Sequence, residues 1–196
     1  MGKGRLEAFT DGVVAIIITI MVLDIRVPRG ADLAALQANM PLLLAYVLSY
    51  VNVGIFWNNH HHMLHVTERV DGKVLWANLA LLFWLSLVPF VIRWIDEAGF
   101  TPLPTAAYGV VLACAGFSYN ILQRTIIAVN GHDSRLAVAL GDDLKGRLSL
   151  ILYLSGIALA FVRPWIAILI YVTVAVMWLV PDTRIESLVK KMKESS

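Results

Sequence analysis

The stretch GRLEAFTDGVVAIIITIMVLDIRVP, residues 4–28, decides the fold. Its apolar run from Val13 to Leu23 holds Thr19, and Arg5 and Asp11 lie against the run's leading end. From Ala8 to Leu23 a helix rises ~24 Å at about 1.5 Å per residue, so with its flanking turns it crosses a hydrocarbon core about 30 Å thick. The rest of the chain has the same character. Hydrophobic residues make up 59% and charged residues 15%, with a mean hydropathy of +0.73, whereas soluble domains carry charge on about a quarter of their residues. This is the composition of an integral membrane protein.

A length of 196 residues leaves room for about six helices of roughly 20 apolar residues each. Breaks at Arg26 to Asp32, Glu68 to Lys73, Asp96 to Pro104, Gly131 to Lys145, and Arg163 with Pro164 separate the apolar segments. They predict an all-α membrane protein with six transmembrane helices at about 5–25, 35–66, 74–96, 103–130, 144–163 and 165–181. These form one membrane domain over residues 1–182, followed by a charged tail at 183–196. The fifth and sixth are joined so tightly at Arg163 and Pro164 that they form a hairpin. With the N-terminus in the cytoplasm, twelve of the sixteen Lys and Arg fall on the cytoplasmic side and only Arg26, Arg29, Arg93 and Arg163 on the other. Six spans then return the C-terminus to the cytoplasm.

Several classes are excluded. The formal charge of +2 is too small for a nucleic-acid partner, and Cys114 is the sole cysteine, so no disulfide framework exists. Asp11 interrupts the apolar run that a cleaved signal peptide needs, and Leu6 stands where a myristoylation signal requires Ser or Thr. Gly116 and Ser118 begin a G-x-S-x-G pattern that Asn120 fails to close, and no phosphate-binding glycine loop occurs. An enzyme is not expected.

On the first helix Ile16, Thr19, Ile20 and Leu23 fall at i, i+3, i+4 and i+7 on one stripe, which Gly12 extends one turn toward the cytoplasm. Such a stripe either packs against a neighbouring helix or, repeated around an axis, makes an apolar constriction that filters by dewetting. Ionisable groups inside spans face a protein interior, a cavity or a partner, and Arg5 and Asp11, six residues apart, do not face each other on one helix. Partners occur at the same membrane level: Trp57, His60, His61 and His65 in FWNNHHHMLH, residues 56–65, and Asn78 at the start of the third span. The charged end is therefore expected to anchor the first helix against the second and third. A rival reading takes His60, His61 and His65 as the centre of a metal- or haem-binding protein, His61 and His65 being spaced i, i+4, although H-E-x-x-H and a second histidine cluster are missing and His132 stands alone in a loop.

Arg5, Phe9, Thr10 and Asp11 resemble the R-x-x-x-F-S-D motif of the lysosomal-type potassium channels, the transmembrane protein 175 family, with Thr10 in place of the usual serine. The likeness extends to Thr19, Trp57 with His60 and His61, Trp76 with Asn78, Pro89 with Phe90, and Trp178 to Glu186. The resemblance implies a homotetrameric, potassium-permeable channel in the membrane lipids, with no cofactor beyond permeant K⁺. The first helix would line a central pore. Ile16 would form the narrowest ring, with Ile20 and Leu23 further along and Thr19 as a polar layer. Arg5, Phe9, Thr10 and Asp11 would join a histidine of the second span, His60 foremost, and Asn78 in an interhelical network. No T-V-G-Y-G filter is present, so K⁺ would be favoured only modestly over other monovalent cations.

Overall fold

The computed structural model describes residues 2–28, 30–131, 133–140 and 143–179. The expected tail at 183–196, the last residues of the helix expected at 165–181, and His132 lie outside them. Among the described residues all regular structure is helical: α1 (Lys3–Leu23), α2 (Leu33–His65), α3 (Gly72–Ser86), α4 (Val88–Ala98), α5 (Pro102–Asn130), α6 (Arg135–Leu140), α7 (Leu144–Ala160) and α8 (Pro164–Leu179).

Local chemistry sets most of these boundaries. Asp32, Asp71 and Asp143 cap α2, α3 and α7, each accepting a bond from the backbone N–H three residues on, at 2.9, 3.0 and 2.9 Å. Pro102 opens α5 and Pro164 opens α8, where a missing N–H costs nothing. Gly99 and Gly131 end α4 and α5 with φ of 71° and 96°, a conformation that side chains with a Cβ avoid.

The third helix, expected as a single segment over 74–96, is two helices meeting at Leu87. Pro89 supplies the cause: it has no N–H to donate to Leu85 and its ring crowds that carbonyl, so the ladder breaks and restarts. The break between 131 and 145, expected to be loop throughout, contains the six-residue α6. The first helix begins at Lys3, so the polar residues from Lys3 to Asp11 are helical.

Among the described residues four units are long and apolar enough to cross a membrane: α1, α2, α3 together with α4, and α5. The 33 residues of α2 extend ~50 Å, well beyond the hydrocarbon thickness. The shorter helices α7, 17 residues, and α8, 16 residues, occupy the last two expected spans and pack against each other as a hairpin. The core centres on α5, which α3, α4, α7 and α8 surround, and α1 attaches to the side formed by α2, α3 and α4. Small residues allow the closest approach. Gly109 on α5 and Gly156 on α7 both lie against Tyr171 of α8, whose hydroxyl donates to the Thr105 carbonyl at 3.4 Å.

Candidate functional site: the first helix and its anchor

The two faces of α1 differ. Leu6, Thr10, Val14, Ile17 and Met21, separated by three or four residues, are buried against the neighbouring helices. The opposite face carries Gly12, Ile16, Thr19, Ile20 and Leu23, all exposed, Ile16 by 59% and Leu23 by 82%. The Thr19 hydroxyl donates back to the Ile16 carbonyl at 2.9 Å. Its hydrogen is thereby engaged within the helix, while its oxygen keeps acceptor capacity on the exposed face. The expected stripe is thus one continuous surface, and none of the described helices covers it.

The buried face is held by a polar triad at the level of Thr10. Thr10, His60 and Asn78 are 1%, 2% and 0% exposed. The Asn78 amide joins the other two: its Nδ2 donates to Thr10 Oγ1 at 2.9 Å, and its Oδ1 lies 2.8 Å from His60 Nε2. An amide oxygen only accepts, so His60 carries hydrogen on Nε2 and donates. Three helices are tied by one carboxamide.

A second set of bonds runs along the seam between α1 and α2. The Trp57 indole donates to Asp11 Oδ1 at 2.8 Å. His61 Nδ1 lies 3.2 Å from Glu7 Oε1, and Lys3 Nζ donates to the His65 carbonyl at 3.1 Å. Lys3, Glu7 and Asp11 rise by four while Trp57, His61 and His65 do the same on an antiparallel partner, so each turn of α1 meets one turn of α2. The rings of Trp57 and His61 stack at 6.1 Å, and those of His61 and His65 at 6.4 Å. The sequence reading missed Lys3 and Glu7, although their i, i+4 spacing with Asp11 was there to be matched to the histidines.

The structure brings Thr10, Asp11, Trp57, His60, His61 and Asn78 to one end of α1. It leaves Arg5 and Phe9 exposed, and the Arg5 guanidinium makes no hydrogen bond or ion pair with any described residue. Six residues at about 100° each turn Arg5 about 120° around the helix from Asp11, away from the seam. The histidines do not converge either: His60 points into the triad and His61 toward Glu7, and among the described residues no group of three or more His, Cys, Asp or Glu is placed to hold a metal.

At the far end of α1 a charged cluster ties its exit to α4. Arg26 Nε sits 2.7 Å from Asp96, and Arg93 lies 3.7 Å from Asp24 and 3.2 Å from Glu97.

A profile of the endosomal/lysosomal potassium channel TMEM175 family matches residues 5–89. A protein of Chryseobacterium named as a potassium channel is 50% identical over 195 residues, covering the whole of both chains. The chain belongs to the TMEM175 family. A potassium channel of Streptomyces collinus is 35% identical over 128 residues, 61% of this chain and 62% of that protein. Human TMEM175, named as an endosomal/lysosomal proton channel, is 40% identical over 96 residues, 42% of this chain and 19% of the human protein. The crystal structure of a lysosomal potassium-selective channel TMEM175 homologue from Chamaesiphon minutus superposes with a TM-score of 0.80 at 26% identity, covering 92% of this chain and 97% of that one. The matched residues 5–89 of the TMEM175 profile contain the whole triad and every side chain of the seam except that of Lys3.

Proposed function

We propose that this chain is a potassium-permeable cation channel, a homotetramer of six-span protomers in a prokaryotic plasma membrane, with both termini in the cytoplasm. Copies of α1 surround the axis and line the pore. Ile16 forms its narrowest ring, Ile20 and Leu23 line it further out, Thr19 gives one polar layer, and Gly12 widens the cytoplasmic approach. Family membership supports this reading, and one observation carries the choice of α1: the stripe from Gly12 to Leu23 is left uncovered by the described residues of its own protomer, while the opposite face is fixed by the Thr10, Asn78 and His60 triad.

The mechanism follows from the side chains. A ring of branched aliphatic groups offers a hydrated cation no ligand, so a narrow ring expels water and closes the path, and a wider one passes ions that keep part of their shell. Potassium holds its water less tightly than sodium and crosses such a ring at lower cost, which gives modest selectivity without a carbonyl filter. Thr19 then offers acceptor oxygens just beyond the ring. The triad and the Asp11 to Trp57 bond hold α1 in register, and Arg5, Phe9 and His61 complete the motif at the cytoplasmic end, Arg5 toward a neighbouring protomer.

The test is K⁺ and Na⁺ flux through purified protein in liposomes, comparing the wild type with Ile16→Asn and Ile16→Trp. The expected result is flux that favours K⁺, rises or loses preference with asparagine, and is blocked by tryptophan. Silence in all three with intact oligomers removes the pore from α1.

A further inference from the structure

A cavity of about 530 Å³ lies between α2, α5, α7 and α8, remote from the exposed stripe of α1. Its inner part is lined by Phe56, Ala113, Phe117, Leu150 and Tyr153, and of these Phe117 and Leu150 are also exposed on the outer surface of the bundle. The cavity is therefore open sideways, along the apolar stretches of α5 and α7. Its other end carries Gln123 and Arg124 of α5 and Arg147 in the first turn of α7. Trp178, whose indole donates to Ser149 at 2.7 Å and lies under the Lys145 ammonium at 5.8 Å, marks the same level as an interfacial one.

The polar groups at this end are unevenly engaged. Asp143, the one carboxylate among the described lining residues, is already held by Asn120 at 3.1 Å and by the Gly146 N–H at 2.9 Å. Neither the Arg124 nor the Arg147 guanidinium is paired with any described residue. Gln123 lines the cavity and its side-chain amide makes no hydrogen bond with the described residues, so its donors and acceptor are open to whatever fills the space. Among the described lining residues two arginines stand against one occupied carboxylate, a positive balance, and arginine matches phosphate oxygens with two parallel donors.

We propose that this cavity binds a single anionic phospholipid. One acyl chain lies among Phe56, Phe117 and Tyr153, its phosphate is held by Arg124 and Arg147, and the Gln123 amide donates to a headgroup or ester oxygen. The volume falls within the usual range of ligand cavities, about 300–1,000 Å³, and a basic pocket between transmembrane helices is the arrangement that retains an acidic headgroup. The site is a property of the outer helices and is independent of whether α1 conducts.

The experiment is native mass spectrometry of protein taken from bilayers of equal phosphatidylglycerol and phosphatidylcholine. Two variants are compared with the wild type, and each is checked for an unchanged unfolding midpoint. Arg124→Gln with Arg147→Gln removes the charge from two exposed side chains. Gly116→Leu fills the cavity itself, since a Cβ built on Gly116 meets no heavy atom within 4 Å. The expected result is one retained phosphatidylglycerol per protomer, preferred over phosphatidylcholine, with retention reduced about tenfold or more in each variant, the loss expected when charged hydrogen bonds or the chain's space are removed. Equal retention of the two lipids, retention unchanged by either variant, or displacement of the lipid by millimolar glycerophosphate, which has the headgroup without the chain, would overturn the proposal.

Discussion

Replacing Asn78 by leucine tests the anchor of α1 most directly, because among the described residues its carboxamide is what links Thr10 to His60. Leucine is close in volume, so the cost is electrostatic rather than steric. The substitution strands two groups in a protein interior: the Nε2–H of His60 and the hydroxyl of Thr10, each almost wholly shielded. A buried polar group left without a partner costs about 1–3 kcal/mol, so Asn78→Leu should destabilise by roughly 2–6 kcal/mol. If the lipid-embedded unfolded chain re-pairs these groups, the loss falls toward the ~0.6 kcal/mol average seen for single bonds in membrane helices. The coupling separates the two cases. Thr10→Val removes the stranded hydroxyl, so it should cost about 1–2 kcal/mol less in the Asn78→Leu background than in the wild type, within the range found for residues sharing one network. Reversible unfolding in mixed micelles, followed by helix signal against denaturing detergent, gives all four corners of the cycle. Additivity within about 0.3 kcal/mol would mean that Thr10 and Asn78 do not depend on each other, and the triad would then not be what fixes α1.

Three further outcomes follow from the same contacts. Arg5→Gln should leave protomer unfolding within about 0.5 kcal/mol of wild type, as for an exposed position without a partner, while light scattering of the purified protein shows weakened assembly; an unchanged oligomer would detach Arg5 from any subunit contact. Gly109→Ala should destabilise by about 1–3 kcal/mol, because the new methyl meets the end of the Tyr171 ring and Ile157, and thermal denaturation showing no loss would mean that α5 and α8 slide freely. Asp96→Asn should cost below about 1 kcal/mol, since Arg26 is more than half exposed, and the difference from wild type should shrink as salt is raised. A salt-independent loss would point to packing at Asp96 rather than to the ion pair.

The helices were legible wherever apolar runs end at Gly, Pro or Asp, because the same residues that lower hydropathy also cap or break the backbone ladder. The break at Leu87 was legible too, in Pro89, but the unbroken hydrophobicity from Val74 to Ile95 concealed it: apolar patterning reports the solvent, whereas a proline acts on the hydrogen-bond ladder. The triad could be brought to one level from span order alone, yet the choice of His60 among its neighbours depends on which side of α2 faces α3, and five consecutive polar residues, Asn58 to His62, hide that side from periodicity. Glu7 and Lys3 escaped for another reason. Near a helix end a charged side chain is ordinarily solvated, and only the complementary spacing on α2 shows that these two are bonded across the seam.

The distribution of polar contacts along α1 suits the pore-lining role proposed for it. A helix whose working face meets ions cannot be held by that face, so its position must be set by the opposite one, and apolar packing alone leaves rotation about the helix axis weakly defined. Directional bonds remove that freedom. Thr10 fixes the azimuth of α1 against α3, and Asp11, next in sequence and about 100° around, fixes it against α2. Two bonds in different directions at one level define an orientation, and Ile16, five and six residues on, inherits it through the rigid backbone of the helix. From Arg26 and Asp24 the same helix is held to α4 by charges at its far end. The span between these two fixed ends contains no polar side-chain contact to the other described residues of the protomer, which leaves the stripe from Ile16 to Leu23 free to be shaped by whatever faces it.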